Sequence, residues 1–185
     1  MIRLFIGLEL PETVKDDLER LMNGLEGARW LKRNQLHLTL RFIGTVSEPV
    51  AEDLVAALRT LRFRSFSVGL RRVGIFGSKR RPRILWTGVR ERDAPELKNL
   101  HGRIDRLLVV AGIEPDGRKL TPHVTLARFR GKAGNIRGYL AHYDGFHSDI
   151  FAVNEIALIR SHLGHGGALH MIEETFPAVS DTMPV

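Results

Sequence analysis

The pattern His-x-Thr-Leu occurs twice, as His37-Leu38-Thr39-Leu40 and as His123-Val124-Thr125-Leu126, nearly half a chain apart. Each copy alternates polar and aliphatic residues. That two-residue period belongs to a strand that buries one face and presents the other. Each strand therefore carries an imidazole and a hydroxyl on one side and aliphatics on the other. The surrounding elements also repeat in order: a helix, a connection, the motif strand, a second helix and two strands. Imperfect duplication of one α/β lobe accounts for this order, and a pseudo-two-fold axis would set the two motif strands side by side. Outside the motifs the halves do not match residue by residue, so the repeat rests on element order.

Along the chain, Ile2 to Glu9 reads as a buried strand. A helix follows with Pro11 in its first turn, Val14, Leu18, Leu21 and Met22 on one face, and Gly24 as its stop. The first motif strand runs from Leu36 to Ile43. Ser47 is placed to cap a helix that turns Val50, Leu54, Leu58 and Leu61 inward. Phe66 to Phe76 and Ile84 to Val89 read as strands joined by a basic loop, Gly77 to Arg83. Asp93 and Glu96 resemble a capping pair for a helix that ends at Gly112. The second motif strand spans His123 to Phe129, and a short helix lies near Ile136 to Ala141. Phe151 to Arg160 and Ala168 to Phe176 complete the strands, ahead of a loose tail. No linker or low-complexity stretch interrupts residues 1–185, which are expected to form a single bilobal domain.

Charge narrows the partners. Lys and Arg number 28 against 21 Asp and Glu, a net charge of +7. Such a field attracts polyanions such as RNA, DNA or nucleotides, although an arginine-rich surface also serves solubility. Cysteine is absent, which excludes disulfides and thiolate metal sites and suits a reducing cytoplasm. The apolar start, Met1 to Leu8, is short and meets Glu9 and Pro11, so no signal peptide is expected. No run approaches the roughly 18 apolar residues of a membrane span. The expectation is a cytoplasmic protein with no membrane partner.

Two His-x-Thr strands facing one groove have a definite chemistry. Imidazole titrates near neutrality, so one ring can accept a proton from water while the other gives one to a departing oxygen. The hydroxyls of Thr39 and Thr125 can donate to phosphate oxygens and hold phosphorus between the rings. The arrangement suits in-line cleavage of a phosphodiester. Arg128 and Phe42 stand at matching offsets, five residues past their histidines, as a phosphate ligand and a stacking surface. Five is an odd step, so a regular strand aims both away from the histidine face, and a bulge is needed to bring them in. By strict alternation Arg41 shares the face of His37 and Thr39 and is a further candidate. Phe42 and Phe129 equally fit a core, and Trp86 reads as core. The Lys79 to Arg83 segment reads as a solvated turn or as part of an RNA surface. His162, His165 and His170 cluster around a glycine-rich turn without a carboxylate to complete a ligand set, so no metal site is assigned. No Walker loop, dinucleotide fingerprint or serine nucleophile elbow is present.

These residues resemble the two-histidine (2H) phosphoesterase superfamily, and within it the RNA 2′,3′-cyclic phosphodiesterases once called 2′-5′ RNA ligases. The likeness covers nearly the whole chain: Arg3 to Leu8, Trp30 through His37 to Gly44, Arg83 to Trp86, Thr121 to Arg128, and Ile159 to Ser161. The resemblance implies an α+β fold of two pseudo-symmetric lobes, with mainly antiparallel sheets lining a central cleft and helices outside. It implies hydrolysis of a terminal 2′,3′-cyclic phosphate to a 2′-phosphomonoester, without metal or other cofactor, on RNA ends or small cyclic nucleotides; the chain itself is expected to be a monomer. His37 then corresponds to the proton donor, His123 to the proton acceptor, and Thr39, Thr125 and Arg128 to phosphate ligands. Phe42 occupies a position near the nucleoside. Relatives often carry a tyrosine where this chain has His170. A 2′-5′ ligase, a 2′,5′-oligonucleotide phosphodiesterase and a non-catalytic nucleotide or RNA-binding module remain alternatives. Two titratable histidines argue against the last, since a pure binder does not need them.

Overall fold

Segments whose residues alternate between apolar and polar pair into one antiparallel sheet, and the amphipathic helices cover its apolar face. The computed structural model describes residues 1–117, 119–164 and 167–179. The elements are β1 (Ile2–Glu9), α1 (Glu12–Leu21), β2 (Arg29–Trp30), β3 (His37–Val46), α2 (Glu48–Leu58), β4 (Phe66–Ser78) and β5 (Arg81–Val89). They continue as α3 (Ala94–Val110), β6 (His123–Arg128), α4 (Ile136–His142), β7 (His147–Val153), β8 (Glu155–Gly164) and β9 (Gly167–Pro177). A 3₁₀ turn at Arg33–Gln35 leads into β3.

The strands are ordered β7-β4-β5-β6-β3-β1-β8-β9, with β2 set against β6. The two motif strands meet at the centre through one antiparallel pair, Leu38 opposite Val124. Both side chains are fully buried and anchor the seam to the core. The seam divides the sheet into two halves, each with one motif strand. These halves are not the two halves of the sequence. β3 and β1 are joined by β8 and β9 from the far end of the chain, while β6 is flanked by β5 and β4 from the first half. The duplicated units thus exchange strands, because the β4–β5 hairpin stays paired with itself and docks on β6.

The core lies between the sheet and the helices. Leu4, Ile6 and Leu8 of β1, Leu18 of α1, Leu54 and Leu58 of α2, and Leu97 and Ile104 of α3 are all essentially buried. Among the described residues no helix is long and apolar enough to cross a membrane.

Four local readings change. The stretch from Gly77 to Arg83 is mostly hairpin, with only Lys79 and Arg80 between β4 and β5. The strand expected over Phe151 to Arg160 is split at Asn154 into β7 and β8, which pair with different partners. Asp93 makes no side-chain cap and is buried instead, accepting hydrogen bonds from the Gly69 amide and the Arg90 guanidinium. Ser47 stands at the start of α2 without a side-chain cap. The last residues of the tail lie outside the described residues.

Candidate active site

The two motif strands share a backbone irregularity that decides what enters the cleft. Along β1, Gly7 pairs with Thr39 and Ile6 with Arg41, so Leu40 is bulged out of register. Along β5, Trp86 pairs with Thr125 and Leu85 with Ala127, so Leu126 is bulged at the matching place. A bulge puts two consecutive residues on one face and reverses the alternation beyond it. Leu40 and Arg41 are accordingly both buried, as are Leu126 and Ala127. Phe42 and Arg128 emerge on the side of the histidines, and both are exposed.

This outcome separates the candidates. Arg41 is removed from the cleft. It is 4% exposed and donates to Asp105 Oδ1 of α3 at 2.7 Å, to the Phe42 carbonyl at 2.6 Å and to the Glu114 carbonyl. Phe42 stands 36% exposed with the Arg3 guanidinium 4.9 Å above its ring. Phe129 belongs to the core.

Antiparallel register around Leu38 and Val124 sets His37 beside Thr125 and Thr39 beside His123, all on the face opposite the buried pair. The two rings are held alike. His37 Nδ1 donates to the Gln35 carbonyl at 2.7 Å, and His123 Nδ1 donates to the Thr121 carbonyl at 2.7 Å. A carbonyl can only accept, so each ring carries its proton on Nδ1 and keeps Nε2 for chemistry. The Thr39 hydroxyl lies 3.1 Å from His37 Nε2.

Rings from neighbouring strands wall each histidine. On one side Phe5 lies 4.6 Å from His37, and His170 of β9 meets His37 edge-on at 4.9 Å. The Gln35 side chain donates to the Ala168 carbonyl, which ties the tip of the β8–β9 ribbon to the turn preceding His37. On the other side Phe76 is 4.8 Å and Trp86 6.4 Å from His123. Trp86 is therefore a wall of the cleft and not core. Its indole lies flat across Gly74, where a Cβ would come within 2.3 Å of the ring, so any other residue there displaces it. Trp86 Nε1 and His170 Nδ1 are buried without a hydrogen-bond partner. Phe5, Phe76 and Gln35 carry no local signal of these roles, because their contacts join distant strands, whereas His170 is already marked by standing where relatives often carry a tyrosine.

Burial and like charge lower the histidines. Enclosure, then the neighbouring His170, pushes His37 down to about 4, against the raising effect of the Gln35 carbonyl. His123 is lowered chiefly by burial and secondarily by Arg128, with the Thr121 carbonyl opposing. His170 is lowered by burial and by Arg128. His123 and Arg128 also act electrostatically on His37, both lowering it.

His162 pairs across the ribbon with Leu169, and His170 with Ser161, so the two histidines point to opposite faces. His165 lies outside the described residues. Among those described, no three His, Cys, Asp or Glu side chains converge as a metal site would require.

A strand-exchanged duplication that brings two tautomer-locked imidazoles and two threonines to one cleft is the architecture of a two-histidine phosphoesterase. The family profile described as LigT-like phosphoesterase matches residues 8–86 and again 89–170, with one motif in each match. The chain belongs to the LigT-like phosphoesterase family. An RNA 2′,3′-cyclic phosphodiesterase of Methanothermobacter thermautotrophicus is 30% identical over 95% of this chain and 98% of its own length. One from Aeropyrum pernix is 44% identical over 51% of this chain, an alignment spanning 53% of that relative. The fold matches the crystal structure of Escherichia coli LigT complexed with 3′-AMP at a TM-score of 0.80, with 22% identity, covering 97% of this chain and 99% of that one.

Proposed function

We infer that the protein is an RNA 2′,3′-cyclic phosphodiesterase that hydrolyses the cyclic ester to a 2′-phosphomonoester, working as one bilobal unit. The observation that carries this reading is the matched locking of His37 and His123, with both Nε2 atoms left for proton transfer. Relatives named for that activity support the substrate class. Phosphoryl transfer needs positioning and charge stabilisation more than covalent help from the protein. Thr39 and Thr125 donate to the non-bridging oxygens, and Arg128 neutralises developing charge.

His123 is the more open ring, and it takes the proton from attacking water. His37 is more enclosed and gives its proton to the departing ribose oxygen, where bulk water competes least. The free protein holds His37 neutral near pH 7. The phosphodiester anion offsets the surrounding positive charge, so the proton is loaded together with substrate. Stacking on Phe42 positions the nucleoside. The test is incubation with a short RNA ending in a 2′,3′-cyclic phosphate. A terminal 2′-phosphate is the expected product; an unchanged end rejects the reading.

The pKa directions give a pH profile. Catalysis requires one ring protonated and the other neutral. Above both pKa values the protonated fraction falls as pH rises, and below about 4 both rings are charged. Because burial lowers both rings, kcat/KM follows a bell whose maximum lies on the acid side of the ordinary imidazole value of about 6.5. A kcat/KM that keeps climbing above pH 7 excludes this pair as acid and base. Replacing Arg128 with Ala removes a charge-assisted contact and lowers kcat/KM by roughly 10- to 100-fold. Unchanged kinetics would take Arg128 out of the site.

A further inference from the structure

The two bulges make Phe42 and Arg128 equivalent positions at opposite ends of the cleft. Their surroundings are not equivalent. Phe42 is an exposed ring under Arg3. Arg128 has a second arginine directly opposite it, because β2 pairs Arg29 with Arg128. Directly opposed residues of an antiparallel pair share a face, so Arg29 lies on the cleft side about one strand spacing, roughly 4.8 Å, beyond Arg128.

Two like charges placed opposite each other destabilise a sheet. Arg20, Arg33, Arg41, Arg59, Arg90, Arg92 and Arg160 each have a carboxylate within ion-pair distance. Arg29 and Arg128 have no such partner among the described residues, and both are exposed. More cations gather at the same end. Arg130 lies two residues beyond Arg128, and Phe129 donates its amide to the Arg83 carbonyl, which brings up the Lys79–Arg83 hairpin. The Phe42 end thus offers an exposed ring, and the Arg128 end adds exposed cations to the wall of Phe76 and Trp86.

We propose that Arg29 binds the phosphodiester joining the terminal nucleotide to the rest of an RNA strand, and so makes the enzyme prefer oligonucleotide ends to cyclic mononucleotides. The inference rests on the function proposed above. The terminal base stacks at the Phe42 end, the cyclic phosphate sits between the histidines, and the backbone leaves over Arg29. A cyclic mononucleotide has no phosphate to reach Arg29, so that side chain is silent in its hydrolysis.

The experiment compares kcat/KM for a 2′,3′-cyclic mononucleotide and for a short RNA ending in the same cyclic nucleotide, at several salt concentrations. The wild type is expected to favour the RNA by roughly tenfold or more, the scale of one charge-assisted contact. Arg29→Ala should remove most of that preference by raising KM for RNA and leave the mononucleotide rate unchanged. The salt dependence of log KM for RNA should fall by about 0.7, the increment for one phosphate contact on a single strand. Arg29→Lys should keep that slope, which a purely structural role would not require. Equal loss on both substrates, or an RNA preference that survives Arg29→Ala, overturns the inference. A wild type that cleaves both substrates equally well also overturns it while the proposed function stands. A wild type that cleaves neither overturns the function itself.

Discussion

Replacing His37 or His123 with Ala lowers kcat on a 2′,3′-cyclic phosphate end by about 10²- to 10⁴-fold, the usual worth of a positioned acid or base. The double replacement costs little more than either single one, because the two rings act as a unit on one displacement. With His123 gone, water attacks without a proton acceptor. With His37 gone, the ribose oxygen departs without its proton. Thr39, Thr125 and Arg128 still hold the phosphate, so substrate binding survives better than turnover. The fold survives as well, since both rings face the cleft while Leu38 and Val124 anchor the strands beneath them. Single-turnover rates and thermal melts separate the two effects. Near-normal turnover in either variant sinks the acid–base assignment, and a lowered melting temperature of the same size as the rate loss would assign the histidines to stability.

Arg41→Ala is expected to do the reverse, destabilising the fold by about 3 kcal/mol with little change in KM. The Arg41 side chain is 5% exposed and links β3 to α3 through Asp105. It also satisfies the Phe42 and Glu114 carbonyls. Removing it leaves the Asp105 carboxylate with the Asp116 amide but no cation, and two carbonyls without their donor, and breaking a buried pair from one side costs about 3–5 kcal/mol. The lower end applies here because Asp105 keeps 21% exposure and can recruit water. Equilibrium unfolding in urea measures the loss. A raised KM with unchanged stability would return Arg41 to the cleft and refute the bulge at Leu40.

That arginine shows how far the pattern along one strand can be followed. Alternation places His37 and Thr39 on one face correctly, since both lie ahead of the bulge. Past Leu40 the same rule gives the wrong face for Arg41, and it would exclude Phe42. Nothing in Leu40-Arg41-Phe42 announces the irregularity, because the bulge belongs to the pairing with β1. Trp86 departs from its local pattern for a related reason. Its apolar neighbours read as core, but its own side faces the cleft, and the space it occupies is cleared by Gly74 on another strand. The split at Asn154 likewise depends on β7 and β8 pairing with strands in opposite halves of the sheet.

The primary structure alone determined the two motif strands, the repeated order of elements around them, the basic charge and the residue types of the acid–base pair. These are local properties, set by side-chain period and composition within a few residues. Tertiary structure decided that the strands meet at a single pair, that Phe42 and Arg128 enter the cleft while Arg41 leaves it, and that His170 comes from β9 to press on His37. Such features arise from register and burial between segments far apart in the chain. A local pattern cannot encode them, since the same strand presents different faces according to the partner that pairs with it.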